Sequence, residues 1–438
     1  MTPTPLEPWI AAKTGCSPLT RGGLACWQLH RLRETVRRVR EHSPFYRGRL
    51  KDCGVPIGGL PDIARLPFTT ADDLRAGAQR FLCVSQSEIQ RVVTLPTSGT
   101  TGAPKRLYFT AADLESTLEF FAAGMSAFTG PGDRVLILLP GEAPDSAGNL
   151  LARALARIGA AGIIHGPVRD ASQTLSFMKE KAVTGVVGMP VQVLGLARSS
   201  SGRAIAVNSA VLTSDYVPNS LCRAVEEAWG CRVYHHYGMT ETGLGGGVDC
   251  AARQGYHLRE ADLYIEIVDP ETGAPLPDGR TGEIVFTSLI RTGMPLIRYR
   301  TGDMARMLPE PCPCGTILRC MEHVRGRIGR GVALANGSRL GLPDLDEALF
   351  AVDGLLNYRA EAVCGPAVCR LRLHASAVPG SRAEQSAALR EALHNALPLQ
   401  AAFLDGSLVL EPVSYCAPQQ LDTGLDKRIL ASISAAAG

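Results

Sequence analysis

Apolar residues recur at helical spacing between residues 24 and 39: Leu29, Leu32, Val36 and Val39 share one face, and Arg31, Arg33, Arg37, Arg38 and Arg40 crowd the other. This pattern predicts an amphipathic helix with a solvated basic face. From about residue 92 to 286, short apolar runs at 135–139, 162–164, 185–188, 210–212 and 232–234 alternate with helix-like stretches at 149–158, 174–182 and 220–229. That rhythm predicts a layered α/β architecture.

After residue 287 a dense tract at 291–303 leads into a cysteine-containing loop and then a glycine-rich segment at 326–331. Beyond it a helix is expected at 342–350, an alternating strand at 370–374, a helix at 382–396 and a strand at 407–413. The chain thus reads as a large layered α/β domain, residues 1–327, followed by a small mobile α+β domain, residues 328–438. The alanine-rich residues 431–438 read as a frayed tail.

Composition narrows the function classes. With 438 residues, 45% of them hydrophobic, the chain can bury sizeable cores without crosslinks. A net charge of +3, from 45 Lys and Arg against 42 Asp and Glu, gives no strong field for nucleic acid or an anionic membrane. No apolar run approaches bilayer length. The 13 cysteines are scattered and odd in number, and no secretory signal pattern opens the chain, which points to the cytoplasm. The partners expected are small molecules, and a homodimer is compatible with the pattern.

The most informative stretch follows the apolar run at 92–95: Thr97, Ser98, Gly99, Thr100, Thr101, Gly102, Ala103, Pro104 and Lys105. Glycines let the backbone turn tightly and aim N–H groups at phosphate oxygens, hydroxyls add donors, and Lys105 can offset charge on departing pyrophosphate. A plain surface turn would not need so many suitable positions in a row. It is not a Walker loop, since no Gly-Lys-Ser/Thr closes it.

This loop resembles the signature of the adenylate-forming (acyl-CoA synthetase, AMP-binding) superfamily. Two further motifs of that superfamily follow in order: Tyr237-Gly238-Met239-Thr240-Glu241 and Arg300-Thr301-Gly302-Asp303. The resemblance implies Glu241 as a Mg²⁺ ligand and Thr240 as a donor to the α-phosphate of ATP. It further implies Asp303 on the ribose hydroxyls with Arg327 as a second ribose contact. Tyr237, beside Gly238, would stack on adenine, with Ser214 and Asp215 in the adenine loop. Segments 41–47, 64–70, 282–285 and 295–300 resemble the phenylacetate–CoA ligase branch in particular. The implied reaction joins a carboxylic acid to AMP, releasing pyrophosphate, and then passes the acyl group to CoA, with a hinge at 328–331.

Cys312-Pro313-Cys314-Gly315 is a second signal, because a stiffened, closable turn carrying two thiols suits a tetrahedral metal. Cys250 and His257, flanking an expected turn, complete a Cys₃His set of the kind the branch implies, with Cys320 in reserve. The alternative is two buried free thiols. The metal would be a structural Zn²⁺. One departure stands out. Relatives place a lysine directly after the glycine of Thr423-Gly424, where this chain has Leu425; Lys427 is the nearest cation. Lys427 is therefore the candidate for the catalytic role. The rival readings are a degenerate AMP/ATP-binding sensor, or adenylation without thiolation.

Overall fold

The computed structural model describes residues 2–51, 53, 56–95, 103–200, 205–417 and 428–434. Compactness divides the chain into two units: Met1–Gly132 with Gly141–Ala161 and Tyr234–Ile328, and Asp133–Pro140 with Gly162–Val233 and Gly329–Gly438.

In the first unit the expected amphipathic helix runs over Arg21–His42, started by Thr20, whose side chain accepts from the Gly23 amide. Its Leu24, Leu32, Val36 and Val39 are buried. Strand Ile89–Leu95 pairs antiparallel with Lys105–Thr110, and Leu95 lies opposite Lys105. A four-stranded antiparallel sheet takes the order Leu263–Val268, Gly282–Ser288, Tyr299–Ala305, Gly326–Arg327. Burial alternates along Tyr299–Ala305, so Tyr299, Thr301, Asp303 and Ala305 share the inward face. The end of strand Arg232–Tyr237 pairs with Gly247–Val248, which pairs with Tyr256–Leu258 and through it with Cys320–Met321. Phe81, Phe109, Phe286 and Tyr299 are fully buried in this unit's core. Each such side chain contributes roughly 1.5–3 kcal/mol by leaving water.

In the second unit, the short, largely buried strands Ser209–Leu212, Gly185–Gly188 and Arg134–Ile137 and the more exposed edge strand Ala161–Ile164 form a sheet in that order. The first three pair in parallel. Continuous apolar runs and helical crossovers such as Ala171–Glu180 and Pro190–Ser199 explain that arrangement. A second sheet takes the order Leu408–Leu410, Cys369–Ala377, Leu355–Cys364, Leu430–Ser434. One apolar core runs through the unit, joining Leu194, Leu212 and Leu221 to Leu345, Leu349 and Phe350. Arg198 latches it, donating to the carbonyl oxygens of Phe350, at 2.7 Å, and Leu355.

The predicted helices and strands of residues 134–237 are present within a few residues of their expected limits. Residues 431–434 differ: they belong to a strand that runs parallel to Leu355–Cys364, because their backbone completes that sheet edge. Cys364 and Cys369 form a disulfide across the turn between the two longest strands of the unit, where their positions face each other directly. The remaining eleven cysteines are free. No helix among the described residues is long and apolar enough to cross a membrane.

Candidate active site and metal cluster

Lys105 opens its strand at the end of the glycine- and threonine-rich loop, and its ammonium pairs with the Glu241 carboxylate. Glu241 sits in the short 3₁₀ turn Thr240–Thr242 and is 1% exposed, so this ion pair is a buried one. The Tyr299 hydroxyl donates to the same Glu241 oxygen at 2.9 Å and lies 3.5 Å from the Lys105 ammonium. Burial, and then the Glu241 charge, push the Tyr299 hydroxyl far above the ordinary phenol range, so it remains a donor. From the other side Arg291 donates to the Glu241 carbonyl oxygen at 2.9 Å and to the Tyr108 carbonyl at 3.0 Å, fixing the turn against the Lys105 strand.

Two residues beyond Thr301 on the same strand face, Asp303 receives the Tyr237 hydroxyl at 3.3 Å on one oxygen and Arg327 Nε at 2.9 Å on the other. Asp303 and Arg327 are direct cross-strand partners, and Arg327 also reaches the Thr301 carbonyl at 2.5 Å. Gly238 follows Tyr237 because nothing larger fits: a Cβ there would stand 2.4 Å from the Leu244 carbonyl oxygen. The first unit therefore gathers Lys105, Tyr237, Gly238, Thr240, Glu241, Asp303 and Arg327 on adjoining elements.

Other expected site residues are placed differently. Ser214 and Asp215 belong to the second unit; Ser214 has φ 74° and Asp215 accepts from the Arg428 amide at 3.4 Å. Thr97, Ser98, Gly99, Thr100, Thr101, Gly102 and Lys427 lie outside the described residues. Tyr299 and Arg291 join the site although neither is among the residues that the sequence motifs mark. Tyr299 was within reach, since counting back from Asp303 in steps of two along a strand gives Thr301 and then Tyr299. Arg291 acts through backbone carbonyls, which carry no sequence signal.

Cys250, His257, Cys312 and Cys314 come together, all buried, with their ligand atoms within 4.8 Å of one another. Cys250 Sγ lies 3.6 Å from Cys312 Sγ, and Cys314 Sγ lies 3.4 Å from His257 Nε2. Thiolates bound tetrahedrally at about 2.3 Å from one zinc stand ~3.8 Å apart, so the set fits that ion. Gly315, at φ 81°, closes the Cys312 turn as its shape required. Cys320 is buried beside the cluster, opposite His257 across a strand pair, but is not one of the four convergent groups. A neighbouring carboxylate, Asp249, accepts from the His235 amide at 2.8 Å and from His323 Nε2 at 2.7 Å, pinning the strand end that carries Cys250.

Comparison with known proteins identifies the family. Residues 72–289 match the family described as AMP-binding enzyme. The phenylacetate-coenzyme A ligase of Thermus thermophilus is 33% identical over 320 residues, covering 70% of this chain and 71% of that protein. That of Aromatoleum evansii is 25% identical over 424 residues, covering 93% and 94%. The chain belongs to the phenylacetate–coenzyme A ligase family of AMP-binding, adenylate-forming enzymes, and it is an AMP-forming acid–thiol ligase. Among solved structures, 2-hydroxyisobutyryl-CoA ligase in the postadenylation state with 2-HIB-AMP superimposes with a TM-score of 0.78 at 23% identity, over 93% of this chain and 89% of that one, which speaks for the fold.

Proposed function

We propose that this ligase uses ATP to convert a small carboxylic acid to an acyl-AMP and passes the acyl group to CoA. The carboxylate oxygen attacks the α-phosphorus and pyrophosphate leaves with the electron pair of the broken P–O bond. The CoA sulfur then attacks the acyl carbon and AMP leaves. The observation that supports this reading is the meeting of Lys105 and Glu241, distant in sequence, at Tyr299, which stands on the strand that also presents Asp303. In this assignment Glu241 takes the Mg²⁺ that accompanies ATP, while Lys105 and Thr240 face the phosphates. Asp303 and Arg327 take the ribose hydroxyls, and Tyr237 the adenine face, with Ser214 and Asp215 contributing from the second unit. The 97–102 loop would wrap the polyphosphate. Lys427 would supply the cation that relatives carry one residue after the glycine.

The Cys₃His set would hold a structural zinc, because four protein ligands leave no open position for a substrate. Residues 1–327 would work as the adenylation domain and 328–438 as a lid; Gly329 and Gly331, at φ 72° and 121°, suit a hinge that absorbs backbone change. The eleven free thiols favour the cytoplasm, against the single short-range disulfide.

Acid-dependent ATP–pyrophosphate exchange tests the reading, with phenylacetate, benzoate, 2-hydroxyisobutyrate and hexanoate as substrates, followed by AMP release on adding CoA. Exchange is expected with at least one acid, falling by about two to three orders of magnitude in Glu241→Gln. Tight AMP binding without exchange for any acid would leave a sensor, and exchange without CoA-dependent AMP release would leave adenylation alone.

A further inference from the structure

A second group of metal-ligating side chains lies near the Cys₃His cluster and shares no residue with it. His235 and Asp249 are buried and His323 is half-buried, and one ligand atom from each lies within 4.8 Å of the other two. The group joins strand Arg232–Tyr237, the residue before Cys250 and the chain just after strand Cys320–Met321, all within the first unit.

Each of the three is held in place. The His235 amide donates to one Asp249 oxygen at 2.8 Å, and the other oxygen lies 2.7 Å from His323 Nε2. The His235 and His323 rings stack with centroids 4.0 Å apart and planes inclined by 20°, and the Tyr256 ring meets His323 in a T-shaped contact at 4.9 Å. Ligands fixed in this way need little ordering around an ion.

Charge indicates what the group can hold. Asp249 is fully buried, and among the described residues it pairs with no lysine or arginine; its ion-pair partner is His323. An ionised carboxylate out of water needs a counter-charge. A proton between Asp249 and His323 would supply one but gives His235 no part. A divalent cation uses all three groups, and neither of the two stacked rings then has to carry a proton, since imidazole ligates metals in its neutral form. Bonds of about 2.0–2.1 Å to nitrogen and oxygen set neighbouring ligand atoms ~3.3 Å apart, so His323 Nε2 need draw back from Asp249 by only about 0.6 Å.

We propose that His235, Asp249 and His323 bind a divalent cation, at a site separate from the Cys₃His set. Two imidazole nitrogens and one carboxylate oxygen suit zinc and its borderline neighbours rather than calcium or magnesium, which favour oxygen alone. The ion enters from the side of His323, whose side chain is 25% exposed. Three protein ligands without a thiolate leave a position for water and hold the ion less tightly than the cysteines hold theirs, so it exchanges away during purification. The assignment holds whether or not the catalytic reading does.

Equilibrium dialysis of the full chain against Co²⁺ tests it, with elemental analysis and the visible spectrum of bound cobalt, in wild type, His323→Ala, Asp249→Asn and a surface control, His30→Ala. Wild type and the control are expected to take up one cobalt per chain whose spectrum lacks thiolate-to-metal charge transfer. His323→Ala and Asp249→Asn should weaken that uptake by at least about tenfold and leave metal at the cysteines unchanged. Cobalt found only with a thiolate spectrum overturns the proposal, as does thiolate-free cobalt that survives His323→Ala or is lost in His30→Ala. Should Asp249→Asn not fold, the partly exposed His323→Ala decides.

Discussion

Arg327 Nε stands 2.9 Å from one oxygen of Asp303, directly across a strand pair, while the Tyr237 hydroxyl occupies the other oxygen at 3.3 Å. The carboxylate is thus paired and aimed before any nucleotide arrives. A ribose diol would meet a carboxylate already in position, so little reorganisation is needed.

Asp303→Ala is therefore expected to weaken ATP and AMP alike by about 1.5–3 kcal/mol for each charge-assisted hydrogen bond lost. Arg327→Gln should cost less, since the Tyr237 contact survives. Titration calorimetry giving wild-type affinity for folded Asp303→Ala would remove this residue from the nucleotide site.

Purified protein should carry about one zinc per chain, and Cys312→Ser should lose it together with part of its resistance to urea. Cys250 and Cys312 both have thiols pushed up in pKa, chiefly by burial, so without a cation these two would remain protonated. Elemental analysis finding no zinc in protein prepared without chelators would return the four residues to the status of a packed thiol cluster.

His235 is buried, and burial, then the neighbouring His323, lowers its pKa to about 4 from 6.5. The unfolded chain therefore binds a proton that the folded chain refuses between those values. Its contribution to stability is fully present above about pH 6.5 and is lost as pH falls toward 4. Urea midpoints measured at pH 7.5 and pH 5 should show a smaller drop for His235→Phe, which keeps a ring against His323, than for wild type. An identical drop in both proteins would mean that His235 takes up its proton equally in the folded and unfolded chains, so that burial does not lower its pKa.

Much of the candidate site was legible because Tyr237, Glu241 and Asp303 stand in contiguous motifs, and the structure brings them onto adjoining elements. Alternation along 299–305 marks both Asp303 and Tyr299, since the inward face that presents one also presents the other. Arg291 was not legible, because its partners are the carbonyl oxygens of Glu241 and Tyr108, groups every residue has. The Cys364–Cys369 pair is not legible in the sequence for a different reason. Its pairing depends on the register of two strands, and register is set by tertiary packing rather than by local pattern. The strand at 430–434 likewise reads as tail in isolation and becomes ordered only through the parallel edge it completes.

The departure at Leu425 gives the last prediction. If Lys427 supplies the missing cation, Lys427→Ala should cut acid-dependent pyrophosphate exchange by roughly two or more orders of magnitude while ATP affinity barely changes. Undiminished exchange in that variant would clear Lys427 of a catalytic part. Exchange absent in wild type and restored by Leu425→Lys would identify a site that has lost its reaction but kept its geometry.

Arg198 holds the backbone carbonyls of Phe350 and Leu355 rather than any side chain there. Its acceptors are present whatever amino acid occupies those positions. Over evolutionary time the two ends of this latch are under unequal constraint: the 350–355 segment can drift as packing allows without disturbing the bond, whereas no other residue at 198 supplies the same planar fork of donors.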